Sequence, residues 1–343
     1  MRRRHALLAL AGALTLAGKP AAAFQVADPY ATSLSYDSVG IDRLWAFGDS
    51  YTKANRKAFP NWAEQLRADL EVGTLKDFAV SGATAGVYSG STNNLTTQVN
   101  RFRNAAPTFH RRDLTVVYMG YNDIDGGTRK DGADLANAKS NYKTQLGRII
   151  ATDGGATASG RRVLVVMVHN WHRVPYYVQS DSLNVMGSRT QVWDSFVAQT
   201  AAANTNVIAV DLYDALEYVF NHPAQYGFTN ITTPDPNHSA TTAFWDDWFH
   251  PGKHGHFMIR QVFEYYLTVG WDWSNQTKTP ADAKAKLLAD LAAGKVFTRP
   301  YGTASAQAQP QTQAPTQGET GPAAVRVPTL RELEATPETT GAE

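Results

Sequence analysis

Residues 43–50 read RLWAFGDS, an apolar run that ends in glycine, aspartate and serine. Because no polar side chains alternate with the apolar residues at 44–47, this run predicts a short strand that is buried on both faces. Gly48 and Asp49 stop the strand, and Ser50 lies at its exit. The stretch therefore predicts an inner strand that presents a serine hydroxyl at its carboxyl end.

Further strands and helices alternate along the chain. Apolar strands are predicted at 75–80, 113–119, 162–169 and 206–211, and helices at 60–70, 93–102, 135–151, 192–203, 254–269 and 280–293. The last helix has Thr279 at its N-cap position and Pro280 at its first helical position. Continuous apolar strands separated by helices require a parallel sheet covered on both faces. The sequence therefore predicts one α/β domain over residues 24–300, with three layers and a central parallel five-stranded sheet.

The two ends of the chain differ from this domain in composition. Residues 1–23 begin with three arginines, continue through an apolar run at 6–18 and end in three alanines, which predicts a secretory signal peptide. That run is shorter than the roughly 20 residues that span a bilayer, so a membrane anchor is disfavoured. The arginines would also suit a twin-arginine signal. No aromatic residue follows Tyr301, and residues 301–343, rich in Pro, Gln and Thr, predict a disordered tail. We therefore expect a secreted or periplasmic protein.

Charge and cysteine content exclude several classes of function. Loss of residues 1–23 removes four of the 32 basic residues and none of the 31 acidic ones, which leaves a net charge of −3. This balance disfavours nucleic acid as a partner. The absence of cysteine excludes a disulfide framework, a thiolate nucleophile and a cysteine-ligated metal. Asn-x-Ser/Thr sequons begin at Asn94, Asn230, Asn237 and Asn275, and they matter only in a glycosylating host.

Five residues can supply the parts of an acyl-transfer site. Ligands of doubly wound sheets gather at the carboxyl ends of the strands, and this rule selects Ser50, Gly82 and Asn122. Asp247 and His250 lie three residues apart in the segment before a late helix. A serine hydroxyl needs a base such as imidazole, and a carboxylate can hold that imidazole in the useful tautomer. The backbone N–H groups of Ser50 and Gly82 and the side-chain amide of Asn122 could form an oxyanion hole.

The chain resembles the GDSL lipase/esterase family, also called SGNH hydrolases. The resemblance rests on four blocks in the family's order: Phe47-Gly48-Asp49-Ser50-Tyr51, Ala79-Val80-Ser81-Gly82-Ala83, Gly120-Tyr121-Asn122-Asp123 and Asp247-Trp248-Phe249-His250-Pro251. It covers roughly residues 44–267 and departs from the pattern at Tyr51, where the family name has leucine. The resemblance implies a flavodoxin-like fold, Ser50 as nucleophile, His250 as base and Asp247 as its orienting acid. It also implies that Gly82 and Asn122 lie in the oxyanion hole.

Several alternatives stay open for these residues. Asp246 competes with Asp247 as the carboxylate that faces His250. His250, His254 and His256 could form a metal site, although His254 and His256 are two residues apart and would point in different directions on a helix. We interpret His254 and His256 as capping or solvating the start of that helix, and we expect neither a metal nor a cofactor. The loop at 169–186, with Trp171, His172, Tyr176 and Tyr177, is either a substrate rim or a packed surface loop.

The favoured function is hydrolysis of carboxylic esters through an acyl-enzyme at Ser50. Small-molecule, lipid and acetylated-glycan esters are all possible substrates, because this type of fold does not determine the substrate. An acyltransferase and a carbohydrate O-acetylesterase could use the same site. A non-catalytic binding protein is disfavoured because no expected catalytic residue is missing.

Overall fold

A computed structural model describes residues 41–70, 72–105, 107–108, 113–125, 133–152, 162–181, 183–235, 242–272 and 277–294. The predicted signal peptide at 1–23 and the predicted tail at 301–343 lie outside these ranges, as do the sequons at Asn237 and Asn275. Within these ranges, none of the helices combines the length and apolar composition that crossing a membrane requires.

The centre of the molecule is a five-stranded parallel sheet. Its strands are β1 (Arg43–Gly48), β2 (Thr74–Asp77), β3 (Asp113–Tyr118), β4 (Arg162–Met167) and β5 (Val207–Asp211). They lie in the order β2-β1-β3-β4-β5, and every neighbouring pair is parallel. All six residues of β3 are buried, as expected for a strand that is covered on both faces. The predicted parallel five-stranded sheet is therefore confirmed, and the observed strand order is that of flavodoxin-like folds.

Helices cover the sheet in two packed groups. The helices are α1 (Trp62–Asp69), α2 (Leu95–Asn104), α3 (Tyr121–Asp125), α4 (Ala133–Ala151), α5 (Pro175–Ser180), α6 (Val185–Ala202), α7 (Leu212–Asn221), α8 (Lys253–Val269) and α9 (Pro280–Ala292). One group contains α1, α7, α8 and α9, and the other contains α2, α3, α4 and α6. Single-turn 3₁₀ helices lie at Trp171–Arg173 and Pro223–Tyr226, and a short antiparallel pair, Trp271–Asp272 with Thr277–Lys278, precedes α9. The predicted three-layer α/β architecture is confirmed.

The structure differs from the sequence prediction in several elements, and the short helices α3 and α5 and the antiparallel pair before α9 are among those not predicted. Strand β2 ends at Asp77 instead of Val80, although the N–H groups of Phe78 and Val80 still donate to β1. Helix α6 begins at Val185 and not at 192, because the Asp181 carboxylate accepts the N–H groups of the first two helical residues. Helix α7 was not predicted. It carries buried residues at 212, 215, 216, 219 and 220, which is the spacing of one helical face.

The N-terminus of α9 begins as predicted, but its cap differs. Pro280 is the first helical residue and Thr279 occupies the N-cap position. The Thr279 hydroxyl makes no capping hydrogen bond and donates to the carbonyl of Val269, at the end of α8, over 3.0 Å. Thr279 therefore links two neighbouring helices.

Candidate active site

The structure brings Ser50, His250 and Asp247 together at the carboxyl end of β1. Ser50 Oγ lies 2.8 Å from Nε2 of His250, although the two residues are 200 positions apart in sequence. On the other side of the ring, Nδ1 lies 2.7 Å and 2.9 Å from the two carboxylate oxygens of Asp247. The serine hydroxyl, the imidazole and the carboxylate thus form one continuous hydrogen-bonded chain.

The segment that carries the carboxylate and the imidazole is folded back on itself. Asp247 Oδ1 accepts the backbone N–H groups of Phe249 at 2.9 Å and His250 at 2.8 Å. The backbone N–H of Asp246 donates to the carbonyl of His250 over 2.9 Å. These bonds hold Asp247 and His250 in a fixed relation before any substrate is present.

The choice between the two neighbouring aspartates is resolved by their partners. Asp247 contacts His250, whereas the buried carboxylate of Asp246 lies 2.7 Å from the ammonium of Lys57. Lys57 also reaches Asp247 Oδ2 at 3.1 Å. Asp247 is therefore the carboxylate that faces the imidazole, and Lys57 bridges both acids.

Burial keeps the imidazole of His250 neutral, and the groups around Asp247 keep its carboxylate ionised. Burial lowers the pKa of His250, while Asp247 acts in the opposite direction and the guanidinium of Arg56 lowers this pKa further. Burial alone would raise the pKa of the Asp247 carboxyl, but the adjacent ring of His250, its hydrogen bond and the ammonium of Lys57 bring this pKa well below its usual value. A neutral imidazole beside an ionised carboxylate is the resting state that a general base requires.

Two basic residues of this site were not predicted from the sequence. A guanidinium nitrogen of Arg56 lies 3.3 Å from Nδ1 of His250 and 4.0 Å from Asp247 Oδ2. Lys57, the next residue, forms the ion pairs with both aspartates. The sequence offers only an Arg-Lys pair in the segment after Ser50, and such a pair is ordinarily solvent-exposed.

Arg56→Gln should shift the pH dependence of kcat/KM. The guanidinium disfavours protonation of His250, so its removal should raise the pKa of the imidazole. The base form would then be lost at a higher pH, and the acidic limb of the profile should move towards higher pH while the rate above it stays similar. Profiles of the wild type, Arg56→Gln and Arg56→Lys would test this expectation. Arg56→Lys retains the charge and should keep the wild-type limb. If the acidic limb of the pH profile lay at the same pH in all three proteins, this expectation would be wrong.

The turn that carries Ser50 is fixed by a glycine at the end of β1. The side-chain amide of Gln98 bonds both sides of Gly48, accepting its N–H at 3.0 Å and donating to its carbonyl at 2.7 Å. A Cβ at position 48 would lie 2.4 Å from the Thr52 hydroxyl and 2.7 Å from the Tyr118 carbonyl. Only glycine fits here without displacing neighbouring backbone. The following Asp49 is buried, and this burial raises the pKa of its carboxyl to about 7.

The glycine and asparagine blocks are joined to each other beside this turn. Gly82 has φ +71°, a left-handed conformation that favours glycine. The side-chain amide of Asn122 donates to the carbonyl of Ala83 over 2.8 Å. Next to it, the buried carboxylate of Asp123 accepts the N–H groups of Ala85 at 2.7 Å and Gly86 at 2.9 Å. Asp123 therefore holds the loop after Gly82 against the segment that carries Asn122.

The aromatic loop at 169–186 packs against the segment that carries the base. Trp171 and Tyr177 are buried, and the ring of Phe249 lies 6.0 Å from that of Trp171 and 5.0 Å from that of Tyr176. His172 pairs with Asp181 at 3.3 Å. These contacts support the interpretation of Trp171 and Tyr177 as residues of a packed loop. Both rings pack against Phe249, the residue immediately before His250.

The interpretation of His254 and His256 as capping or solvated residues is wrong. Both side chains are buried, and Gly252 is the N-cap of α8, without a side-chain cap. His254 stacks against Phe228 at 4.4 Å, and burial lowers the pKa of His256 to about 3. Across the described ranges, no group of three or more His, Asp or Glu side chains is placed to hold a metal ion. The two imidazoles are packed in the core, and that of His256 is neutral.

The class of protein is shown by the sequence itself. The sequence profile of the GDSL-like Lipase/Acylhydrolase family matches residues 46–257, a range that includes all the candidate site residues. The chain belongs to this family and is accordingly a carboxylic ester hydrolase. The match confirms the resemblance that the four sequence blocks indicated.

Solved structures with a similar fold are distant in sequence. A protein from Lactobacillus plantarum is 20% identical, with a TM-score of 0.43, over 66% of this chain and 97% of that one. An acetylxylan esterase from Geobacillus stearothermophilus is 16% identical, with a TM-score of 0.43, over 69% of this chain and 98% of that one. An α/β hydrolase from the metagenome of Lake Arreo in Spain is 19% identical, with a TM-score of 0.42, over 66% and 94%. No curated protein matches the chain.

Proposed function

We propose that the chain is a serine esterase that hydrolyses carboxylic esters through an acyl-enzyme at Ser50. The observation that carries this proposal is the hydrogen-bonded chain from Ser50 Oγ through His250 to Asp247, with distances of 2.8 Å and 2.7 Å. A hydroxyl is a weak nucleophile at neutral pH, and an adjacent neutral imidazole is the means by which enzymes activate it.

In the acylation step, Ser50 Oγ attacks the carbonyl carbon of the ester. The hydroxyl proton passes to Nε2 of His250 as the new C–O bond forms. Asp247 stabilises the resulting imidazolium, because its carboxylate is ionised and accepts from Nδ1 at 2.7 Å. The tetrahedral intermediate then collapses. Nε2 returns its proton to the departing alkoxide, the alcohol leaves and the acyl group stays on Ser50.

In the deacylation step, a water molecule takes the place of the alcohol. Nε2 of His250 accepts a proton from this water as its oxygen attacks the acyl carbon. The second tetrahedral intermediate expels Ser50 Oγ, which recovers its proton from the imidazolium. The products are a carboxylic acid and the free enzyme, so one base serves both halves of the reaction.

We assign the stabilisation of the negative charge on the carbonyl oxygen to an oxyanion hole. Its donors are the backbone N–H groups of Ser50 and Gly82 and the side-chain amide of Asn122. The left-handed backbone of Gly82 and the bond from Asn122 to the carbonyl of Ala83 support this assignment, because both fix groups at the strand ends. The Asn122 amide has two N–H donors, and the bond to Ala83 uses one of them. Among the described residues the second N–H has no acceptor, so it can donate to an oxyanion.

A serine-directed phosphonate ester tests the proposed function directly. We expect one phosphonyl group per folded molecule, located at Ser50, and loss of ester hydrolysis in proportion to labelling. The wild-type protein incubated in parallel with a carboxylate of similar size, which cannot react with serine, is the control. Labelling at another residue, or full hydrolysis after complete labelling, would contradict the proposal.

The alternative functions differ in the molecule that accepts the acyl group and in the ester that is the substrate. We propose water as acceptor and small-molecule, lipid or acetylated-glycan esters as substrates. An assay that contains a competing alcohol measures free acid against transferred ester and so distinguishes a hydrolase from an acyltransferase. A panel of esters that vary in acyl length and alcohol, with acetylated glycans included, identifies the substrate class.

The proposed site of action is outside the cytoplasm. The proposal rests on the three-part signal pattern of residues 1–23, with its arginines, apolar run and closing alanines. Export should leave a mature chain that begins at Phe24, which N-terminal sequencing of protein recovered from outside the cytoplasm would detect.

A further inference from the structure

We propose that Tyr51 is a positioning residue for the catalytic base, because its phenol hydroxyl fixes the peptide unit that joins Phe249 to His250. This inference rests on the proposed function, since it concerns how His250 is held against Ser50. Tyr51 is the residue next to the nucleophile, and Phe249 is the residue next to the base. This hydrogen bond adds to the Ser50–His250 contact that connects the two segments of the site.

The contacts of Tyr51 leave its side chain little freedom. Its ring is 1% exposed and stacks on Tyr121, with ring centroids 4.4 Å apart and planes 29° apart. Its backbone N–H donates to Asp49 Oδ1 over 2.9 Å. At the far end of the ring, the hydroxyl donates to the carbonyl of Phe249. Tyr51 is therefore a rigid connection between the serine turn and the segment that carries the base.

The peptide unit between Phe249 and His250 is held at both of its polar groups. Its carbonyl accepts from Tyr51, and its N–H donates to Asp247 Oδ1 over 2.8 Å. Because the imidazole is attached to the next Cα, rotation of this peptide would move Nε2 away from Ser50. Asp247 fixes the peptide from within its own segment, whereas Tyr51 fixes it relative to the nucleophile.

The phenol is chemically suited to this task. Burial raises the pKa of Tyr51 well above its usual value, so the hydroxyl remains a donor at every pH at which the enzyme would work. Leucine, the residue that gives the family its name, could fill part of the same space but could not bond the Phe249 carbonyl. In this chain the tyrosine at position 51 makes a hydrogen bond to the Phe249 carbonyl that a leucine could not make.

Tyr51→Phe isolates the hydroxyl, and Tyr142→Phe provides a matched control. Tyr142 is also fully buried, but it lies in α4, and its hydroxyl has no hydrogen-bond partner among the described residues. Both variants lose one buried oxygen. We would measure kcat and KM for a soluble ester, and the melting temperature of each variant. The value of kcat is calculated per active site, and active sites are counted by titration to completion with a phosphonate.

We expect Tyr51→Phe to lower kcat per titrated site by about 10- to 100-fold, the effect of a small displacement of a catalytic group, with little change in KM. Tyr142→Phe should match the wild type. If Tyr51→Phe instead lowers only the melting temperature or the number of titratable sites, its role is structural and the inference is wrong. Titration to completion counts competent sites, so partial misfolding of the variant does not obscure the result. Absence of hydrolysis in the wild type would refute the proposed function itself, a distinguishable outcome.

Discussion

Ser50→Ala is expected to lower kcat for ester hydrolysis by about 10⁵- to 10⁶-fold, because the variant has no atom that can form the acyl-enzyme. A loss of this size corresponds to roughly 7–8 kcal/mol of transition-state free energy. The fold should persist, since within the described part of the chain the Ser50 hydroxyl makes a single hydrogen bond, to His250. Steady-state kinetics and the circular dichroism spectrum measure the two effects separately.

The control for this experiment is Ser81, which belongs to the glycine block but lies outside the hydrogen-bonded chain from Ser50 to Asp247. Ser81 precedes Gly82, and its buried hydroxyl has no hydrogen-bond partner among the described residues. Ser81→Ala should retain most of the activity. Hydrolysis by folded Ser50→Ala at a rate close to the wild type would refute the assignment of the nucleophile.

Asp247→Asn is expected to lower kcat by about 10⁴-fold, the cost of presenting the base in the wrong tautomer. The amide of asparagine can donate to Nδ1 of His250, which places the proton on Nε2. Nε2 then faces Ser50 with a proton of its own and cannot accept another. The binding of substrate should change much less than kcat.

Asp246→Asn provides the matched comparison, because it makes the same substitution one residue earlier. The carboxylate of Asp246 pairs with Lys57, whereas that of Asp247 accepts from His250, so kcat of Asp246→Asn should change by less than about tenfold, equivalent to about 1.4 kcal/mol. Its larger effect should be on stability, because its buried carboxylate loses the charge that pairs with Lys57. If Asp246→Asn abolished activity and Asp247→Asn did not, the two assignments would have to be exchanged.

The parts of the site that could be predicted from the sequence are those encoded locally. Ser50 and Asn122 follow apolar strands, and the order of parallel strands brings their carboxyl ends to one edge of the sheet. The separation of Asp247 from His250 allows a short loop to join them. These features depend on neighbours in sequence, so a pattern of residues was sufficient to find them.

The features that escaped prediction depend on contacts between distant segments. Lys57 meets its aspartates across 190 residues, and Tyr51 meets Phe249 across 198. Burial of His254 results from the packing of α8 against Phe228, a contact that no local pattern encodes. Helix α7 and the start of α6 are exceptions. The apolar spacing of α7 was visible in the sequence, and Asp211 is its N-cap, accepting the N–H of Asp214 over 3.0 Å. Asp181, which accepts the first N–H groups of α6, is likewise close to them in sequence.

The 200-residue separation between Ser50 and His250 also bears on how the molecule is made. Strand β1 is among the first segments of the domain to be synthesised, but its serine acquires a base only when the segment before α8 has emerged and closed onto it. Contacts between such distant residues form late, because the chain must first lose the entropy of the intervening loop. On the proposed function, a partly synthesised chain would therefore carry an unreactive serine. The onset of reactivity at Ser50 would then report, in a folding experiment, that the two ends of the domain have met.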